Sequence, residues 1–161
     1  HPTTRLCLEA LEAMPPCDQR VADLGCGSGV LGLASLALGA HEVFAADTDS
    51  LAVRATTDNA ALNALKAEQL RVSHGSIDTL ATLLNGEAAD LLLCNILAPV
   101  IEALAPQFAS VLKPEGRGLL SGLLVDQAPR LIEVLAECGW QARPIGEQGR
   151  WGLLEIKRIF G

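Results

Sequence analysis

The sequence predicts an open α/β sheet of seven strands with helices on both faces and an antiparallel last strand. Three observations carry that prediction. Short apolar runs alternate with helical stretches along most of the 161 residues, the pattern of parallel strands joined by right-handed crossovers. A glycine-rich loop, "DLGCGSGVLG" from Asp23 to Gly32, follows the first of those runs. The end of the chain then changes character: "QARPIG" and "RWGLLEIKRI" flank "EQG" as an antiparallel hairpin instead of another crossover.

Each element can be justified in order. Thr3 and Thr4 read as helix-start residues before "RLCLEALEAM", where Leu8 and Leu11, or Leu6 and Ala10, recur at helical spacing. Pro15 and Pro16 end that helix. "VADLG" (Val21 to Gly25) is a short buried strand leading into the glycine loop. "VLGLASLALG" is a helix of small and apolar residues closed by Gly39. "EVFAAD" is the second strand and ends at Asp47. Ser50 is expected to cap a helix through Leu65, before "LRVSHG" as the third strand. "ADLLLCNI" is almost uniformly apolar, as a strand buried on both faces of a parallel sheet should be. A helix from about Pro99 to Leu112 follows, broken by a "KPEG" turn at Lys113 to Gly116. "GRGLLSGLL" is the next strand, and Asp126 is expected to cap a helix running to Gly139.

The whole chain bounds the function. Its length suits one domain. Half of it is apolar, yet no stretch reaches the roughly 20 uninterrupted apolar residues of a membrane span. No basic leader opens it, so a soluble, cytoplasmic, monomeric protein is expected. It starts at His1, directly on a motif, which suggests a piece of a longer protein. The five cysteines are odd in number and never spaced C-x-x-C, which fits reduced thiols better than a disulfide or metal framework. Twelve basic against 19 acidic residues leave a net charge of −7. That balance disfavours binding to nucleic acid, which relies on clustered Lys and Arg, and suits a cationic partner.

The glycine loop fits two cofactor classes. Read from Gly27 it is G-x-G-x-x-G, the dinucleotide pattern; read from Asp23 it is D-x-G-x-G-x-G, a loop that holds S-adenosylmethionine. Gly25, Gly27 and Gly29 let the backbone turn tightly and approach a ligand. Asp47, about 20 residues on, stands where an acid accepts both ribose hydroxyls of an adenosine, which both cofactors carry. Asp23 discriminates between them. At the mouth of the loop it would repel a pyrophosphate but attract the ammonium and sulfonium of S-adenosylmethionine, unless it merely bonds loop amides. With the closing hairpin, these residues favour S-adenosylmethionine. A nicotinamide-dependent oxidoreductase and a non-catalytic docking module stay open as alternatives.

"LLLCNILAP" places Asn95 at the carboxyl end of the central strand, facing the same crevice. A buried amide there must find partners, and neighbouring backbone is one possibility. Methyl transfer from a sulfonium is an in-line displacement, so an enzyme mainly has to aim a lone pair at the methyl carbon. An Asn oxygen can do so by accepting an N–H of an amine. Many amine methyltransferases carry Asn-Pro-Pro-Tyr at this place, whereas here Ile96, Leu97 and Ala98 follow and the chain has no tyrosine. A missing ring argues against a stacked nucleobase and for an aliphatic amine. No histidine is placed by sequence to act as base: His1 is terminal, and His41 and His74 flank strands.

Four motifs now point to a family: "HPTT" from His1, "DLGCGSGVL" from Asp23, "AADTD" ending at Asp49, and "NILA" from Asn95. Over essentially its whole length the chain resembles the C-terminal catalytic domain of the PrmA family, bacterial methyltransferases of a large-subunit ribosomal protein. The resemblance implies a class I (Rossmann-like) S-adenosylmethionine-dependent domain. It also implies methylation of lysine ε-amino and N-terminal α-amino groups on that basic ribosomal protein, gripped by an N-terminal domain outside this chain. Thr4, Gly25, Asp47 and Asn95 match the family's cofactor contacts, to which the loop chemistry adds Asp23 and Gly27. Asn95 is the expected catalytic residue, and no metal is expected. A small-molecule amine or RNA is the alternative substrate. The family pattern is broken after the third strand, where many class I enzymes place an acid and "HGSID" offers Ser76.

Overall fold

The computed structural model describes residues 1–159. Seven strands form one sheet: β1 (Arg20–Leu24), β2 (Glu42–Asp47), β3 (Leu70–His74), β4 (Ala89–Asn95), β5 (Leu112–Leu124), β6 (Trp140–Gln148) and β7 (Trp151–Arg158). Their order is β3-β2-β1-β4-β5-β7-β6. β7 runs antiparallel to both of its neighbours, as the closing hairpin predicts. The chain winds outward from β1 to β3 and then crosses back to β4. The order therefore reverses between β1 and β4, the place where such sheets open a crevice at their carboxyl ends.

The uniform apolarity of β4 follows from its position. Leu92 and Cys94 belong to one core layer and Leu91 and Leu93 to the other, and all four are fully buried. On one face α1 (Pro2–Ala13) and α2 (Val30–Ala37) supply Leu6, Leu11 and Leu31. On the opposite face α4 (Ile77–Leu84), α5 (Ala98–Leu104) and α6 (Ala128–Glu137) supply Leu80, Ile101 and Leu135. α3 (Ser50–Leu62) is packed with β2 and β3.

Several local expectations are corrected. The cap of α1 is His1, whose Nδ1 accepts the Thr3 N–H, so Thr3 and Thr4 lie inside the first turn. The cap of α3 is Asp49 and not Ser50: Asp49 has extended backbone and its carboxylate accepts the Leu51 N–H at 2.9 Å. That helix stops at Leu62, before a turn in which Ala64 takes φ of 55°. α5 is shorter than expected, because Pro106 lacks an N–H and the chain tightens into a 3-10 helix over Ala105–Ser110. Leu112 already belongs to β5. "KPEG" is a bulge within that strand: Leu112 pairs with Ala89, yet Arg117 pairs with Leu91, and Lys113 bonds Asp90 at 3.0 Å. Asp126 caps nothing, since a 3-10 turn over Val125–Gln127 intervenes and Gln127 accepts the Leu124 N–H. α4 has no counterpart in the sequence reading. Its signal was Ile77, Leu80 and Leu84 at helical spacing, all buried.

Candidate functional site

The loop after β1 is held from two sides. Gly25 and Cys26 donate their N–H groups to Ala46 O at the end of β2, at 2.8 and 3.1 Å. From α3, Thr56 Oγ1 donates to Gly27 O at 2.9 Å and Asn59 Nδ2 to Ser28 O at 2.8 Å. Two glycines in it have separate duties. Gly25 has φ of +77°, and a Cβ there would run into Ile96 Cγ2. Gly27 has φ of +56°, and a Cβ there would meet nothing within 4 Å, because it points into open space. A side chain at Gly27 would fill the cradle that a ligand needs.

That cradle belongs to a crevice of about 420 Å3 across the carboxyl ends of β1, β2, β3 and β4, within the usual range for small-ligand sites. Gly25, Gly27, Asp47 and Asn95 all line it, together with Ser76. Asp47 has two duties. One of its oxygens accepts the Gly27 N–H and the other the Asp49 N–H, both at 2.9 Å. Each oxygen keeps a second lone pair, enough to accept two neighbouring hydroxyls. Asn95 is half-buried, and its carboxamide forms no hydrogen bond among the described residues. The backbone partner considered for it is therefore absent there, and the amide is available to a ligand. Ser76 begins α4 without making a side-chain cap bond, so its hydroxyl is equally free. The opposite wall is apolar, built from Ile96, Leu97, Val100 and Leu104. Sequence reading named none of these as site residues; their signal was helical spacing just past Asn95.

Two expected site residues stand elsewhere. Asp23 is only 2% exposed, a layer beneath the loop and not at its mouth, and it does not line the crevice. Its Oδ2 has no hydrogen-bond partner among the described residues. Burial, and then the charge of Asp47, push its carboxyl up to about 7, with the Gly32 N–H opposing. Thr4 is half-buried in the first turn of α1, off the crevice lining. Its neighbour Thr3 accepts at its carbonyl from Ser121 Oγ at 3.4 Å, and Ser121 is the register partner of Asn95. α1 thus starts beside the end of β4, one strand away.

None of the three histidines lines the crevice. His1 Nδ1 faces Thr3 Oγ1 at 2.9 Å and accepts the Thr3 N–H, with its ring against Trp151 at 5.1 Å between centroids. His74 Nε2 donates to Thr48 O at 2.8 Å. Among the described residues no cluster of His, Cys, Asp or Glu could hold a metal ion, and no helix is long and apolar enough to cross a membrane. A ligand with vicinal hydroxyls, a flat apolar ring and a flexible charged end fits this arrangement. The hydroxyls would meet Asp47, the ring would meet the apolar wall and Ser76, and the charged end would lie toward Asn95.

Comparison with known proteins agrees. The family model described as ribosomal protein L11 methyltransferase (PrmA) matches residues 1–159. A ribosomal protein L11 methyltransferase of Parasynechococcus marenigrum (strain WH8102) is 70% identical over 158 residues, 98% of this chain and 55% of that protein. One of Prochlorococcus marinus (strain MIT 9313) is 61% identical over 98% of this chain and 52% of its own length. The chain thus spans about half the length of the curated relatives it matches. The crystal structure of the ribosomal protein L11 methylase from Lactobacillus delbrueckii subsp. bulgaricus superimposes with a TM-score of 0.86 at 33% identity, covering 98% of this chain and 79% of that one.

Proposed function

The chain belongs to the ribosomal protein L11 methyltransferase (PrmA) family, and from that premise we propose that it is an S-adenosylmethionine-dependent catalytic domain. Its proposed reaction methylates lysine ε-amino and N-terminal α-amino groups of ribosomal protein L11. The observation that carries this reading is the convergence of Asp47, the glycine cradle and an unbonded Asn95 on one crevice.

S-adenosylmethionine supplies a methyl group on a sulfonium, activated for in-line displacement. The chain's residues bind and aim. Asp47 would hold the ribose hydroxyls, Gly25 and Gly27 the close backbone approach, and Ser76 with Leu97 and Val100 the adenine. Thr4 would approach the methionine end from α1. Asp23 would act there from below, through its charge. Asn95 Oδ1 would accept an N–H of the neutral amine and turn its lone pair inward. The apolar wall keeps water, a competing nucleophile, away. Grip on the intact ribosomal protein is assigned to the part of the longer relatives that lies outside this chain.

Calorimetric titration distinguishes the cofactors: S-adenosylhomocysteine should bind and NADH should not. Tight NADH binding without a response to S-adenosylhomocysteine would overturn the assignment. With radiolabelled methyl donor, label should enter ribosomal protein L11 in preference to RNA or small amines, and poorly when this domain acts alone. Asp47→Ala should weaken S-adenosylhomocysteine binding by roughly 2–3 kcal/mol, the worth of charge-assisted bonds to hydroxyls. Because Asp47 also ties down Gly27 and Asp49, thermal denaturation should show some loss of stability too. Normal affinity in that variant would confine the acid to the loop.

A further inference from the structure

We propose that the surface surrounding the crevice is itself a docking rim for the substrate polypeptide, fitted to a cationic segment with apolar side chains beside its target lysine. The inference rests on the protein-methyltransferase reading above and adds a second grip, next to the chemistry. Its first support is where exposed apolar residues fall. Among the described residues nine large hydrophobic side chains are exposed, and five of them stand just past the carboxyl ends of parallel strands: Val30 after β1, Leu51 after β2, Leu97 and Val100 after β4, and Val125 after β5. Leu51 is 72% exposed and Leu97 63%. Such positions open helices, where free N–H groups favour Ser, Asp or Glu, yet the first turns of α2, α3 and α5 contain no acid. Apolar side chains recurring along the carboxyl edge of the sheet, with Leu97 and Val100 at the crevice and Val125 at a neighbouring cavity, mark a contact surface.

Charge selects the partner. The segments that follow the five parallel strands through the first helical turn are residues 25–33, 48–53, 75–80, 96–101 and 125–128. Exposed Asp49, Asp78 and Asp126 lie in them, and no Lys or Arg does. Basic residues lie just outside these segments: Arg5 in the first turn of α1, Arg54 next along α3, Arg130 on α6 bonded to Glu102, and Arg150 in the β6–β7 turn. Segments that are apolar and carry only acidic charge favour a lysine-bearing polypeptide over a phosphate backbone. The rim is also continuous with the crevice, because Leu97 and Val100 belong to both. A substrate lying on the rim would therefore reach Asn95 without crossing polar surface.

The test uses the full-length enzyme with Val30→Ser, Leu51→Ser and Val125→Ser combined, none of which lines the crevice. Its dissociation constant and KM for ribosomal protein L11 should rise at least tenfold. Affinity for S-adenosylhomocysteine, kcat, and kcat/KM on a short lysine peptide without apolar neighbours should stay within twofold. Adding Asp78→Asn and Asp126→Asn should weaken L11 binding further and reduce its salt dependence. Should the triple variant fail to fold, Leu51→Ser alone should still raise KM about threefold. Wild-type-like L11 binding by these variants overturns the rim, as does a wild-type enzyme that prefers RNA or does not bind L11. A wild-type enzyme that binds L11 with the expected sensitivity yet transfers no methyl group to it supports the rim and overturns the reaction instead.

Discussion

Asp23→Asn is expected to stabilise the ligand-free protein above pH 7 and at the same time to weaken its hold on cofactor. The carboxyl is buried beneath the glycine loop with one oxygen unpartnered, and burial, reinforced by Asp47, pushes it up to about 7 from an unfolded value near 3.8. Between those two values the folded state keeps a proton that the unfolded chain has lost. Stability therefore falls as pH rises through that window and is level above it. A shift of that size corresponds to about 4 kcal/mol. Asparagine keeps the shape and cannot ionise, so the slope should vanish. The net gain at pH 8.5 should be smaller, about 1–3 kcal/mol, because the buried amide brings donors that need partners. Urea unfolding of both proteins at pH 5 and pH 8.5 measures the effect. Parallel pH dependence in the two would mean that Asp23 is ionised at little cost. If the carboxylate is kept for the cationic end of the cofactor, S-adenosylhomocysteine should bind the variant at least tenfold more weakly. An unchanged affinity would reduce Asp23 to a strained structural residue.

That carboxylate also marks where sequence reading reached its limit. "DLGCGSG" announces a ligand loop, since the glycines and the acid are local features, but the depth of Asp23 depends on α1 and α2 closing over β1. The crevice residues Gly25, Gly27, Asp47 and Asn95 were legible because each sits at a strand end, and strand ends follow from apolar runs. β4 was clear because burial on both faces leaves no polar residue before Asn95 except Asp90 near its start. The second duty of Asp47, accepting N–H groups from Gly27 and Asp49, was hidden, because it requires two loops to meet across the sheet. Ser50 and Asp49 are both competent caps, and only backbone dihedrals separate them. "KPEG" reads as a turn by composition and yet lies in a strand, because a bulge opposite Asp90 absorbs the extra residues. The apolar wall was invisible for a similar reason. Leu97 and Val100 look like ordinary helix-core positions, yet the fold leaves them exposed beside the crevice.

Asn95→Ala is expected to lower kcat by about 10²-fold or more, the scale of losing a contact that positions a reactant. Thermal stability should hardly change, since the carboxamide forms no hydrogen bond among the described residues. The pH dependence carries the mechanistic content. A lysine amine titrates near 10.4, so at neutral pH only a few in ten thousand are neutral nucleophiles. No histidine can relieve this. None of His1, His41 and His74 lines the crevice, and the His1 Nδ1 lone pair is already taken by the Thr3 N–H. On the proposed reaction the enzyme would take the amine already neutral or release its proton to water, with Asn95 only orienting the lone pair. The rate should rise with pH well beyond 7, without the bell shape that two enzyme groups produce. Asn95→Asp is the sharper variant: a carboxylate would attract the ammonium form, binding substrate while holding it unreactive, and should displace the profile toward higher pH. A wild-type rate that levels off near pH 7, together with a nearly normal Asn95→Ala enzyme, would exclude pure positioning. The base would then have to come from the substrate or from a part that the longer relatives have outside the matched region.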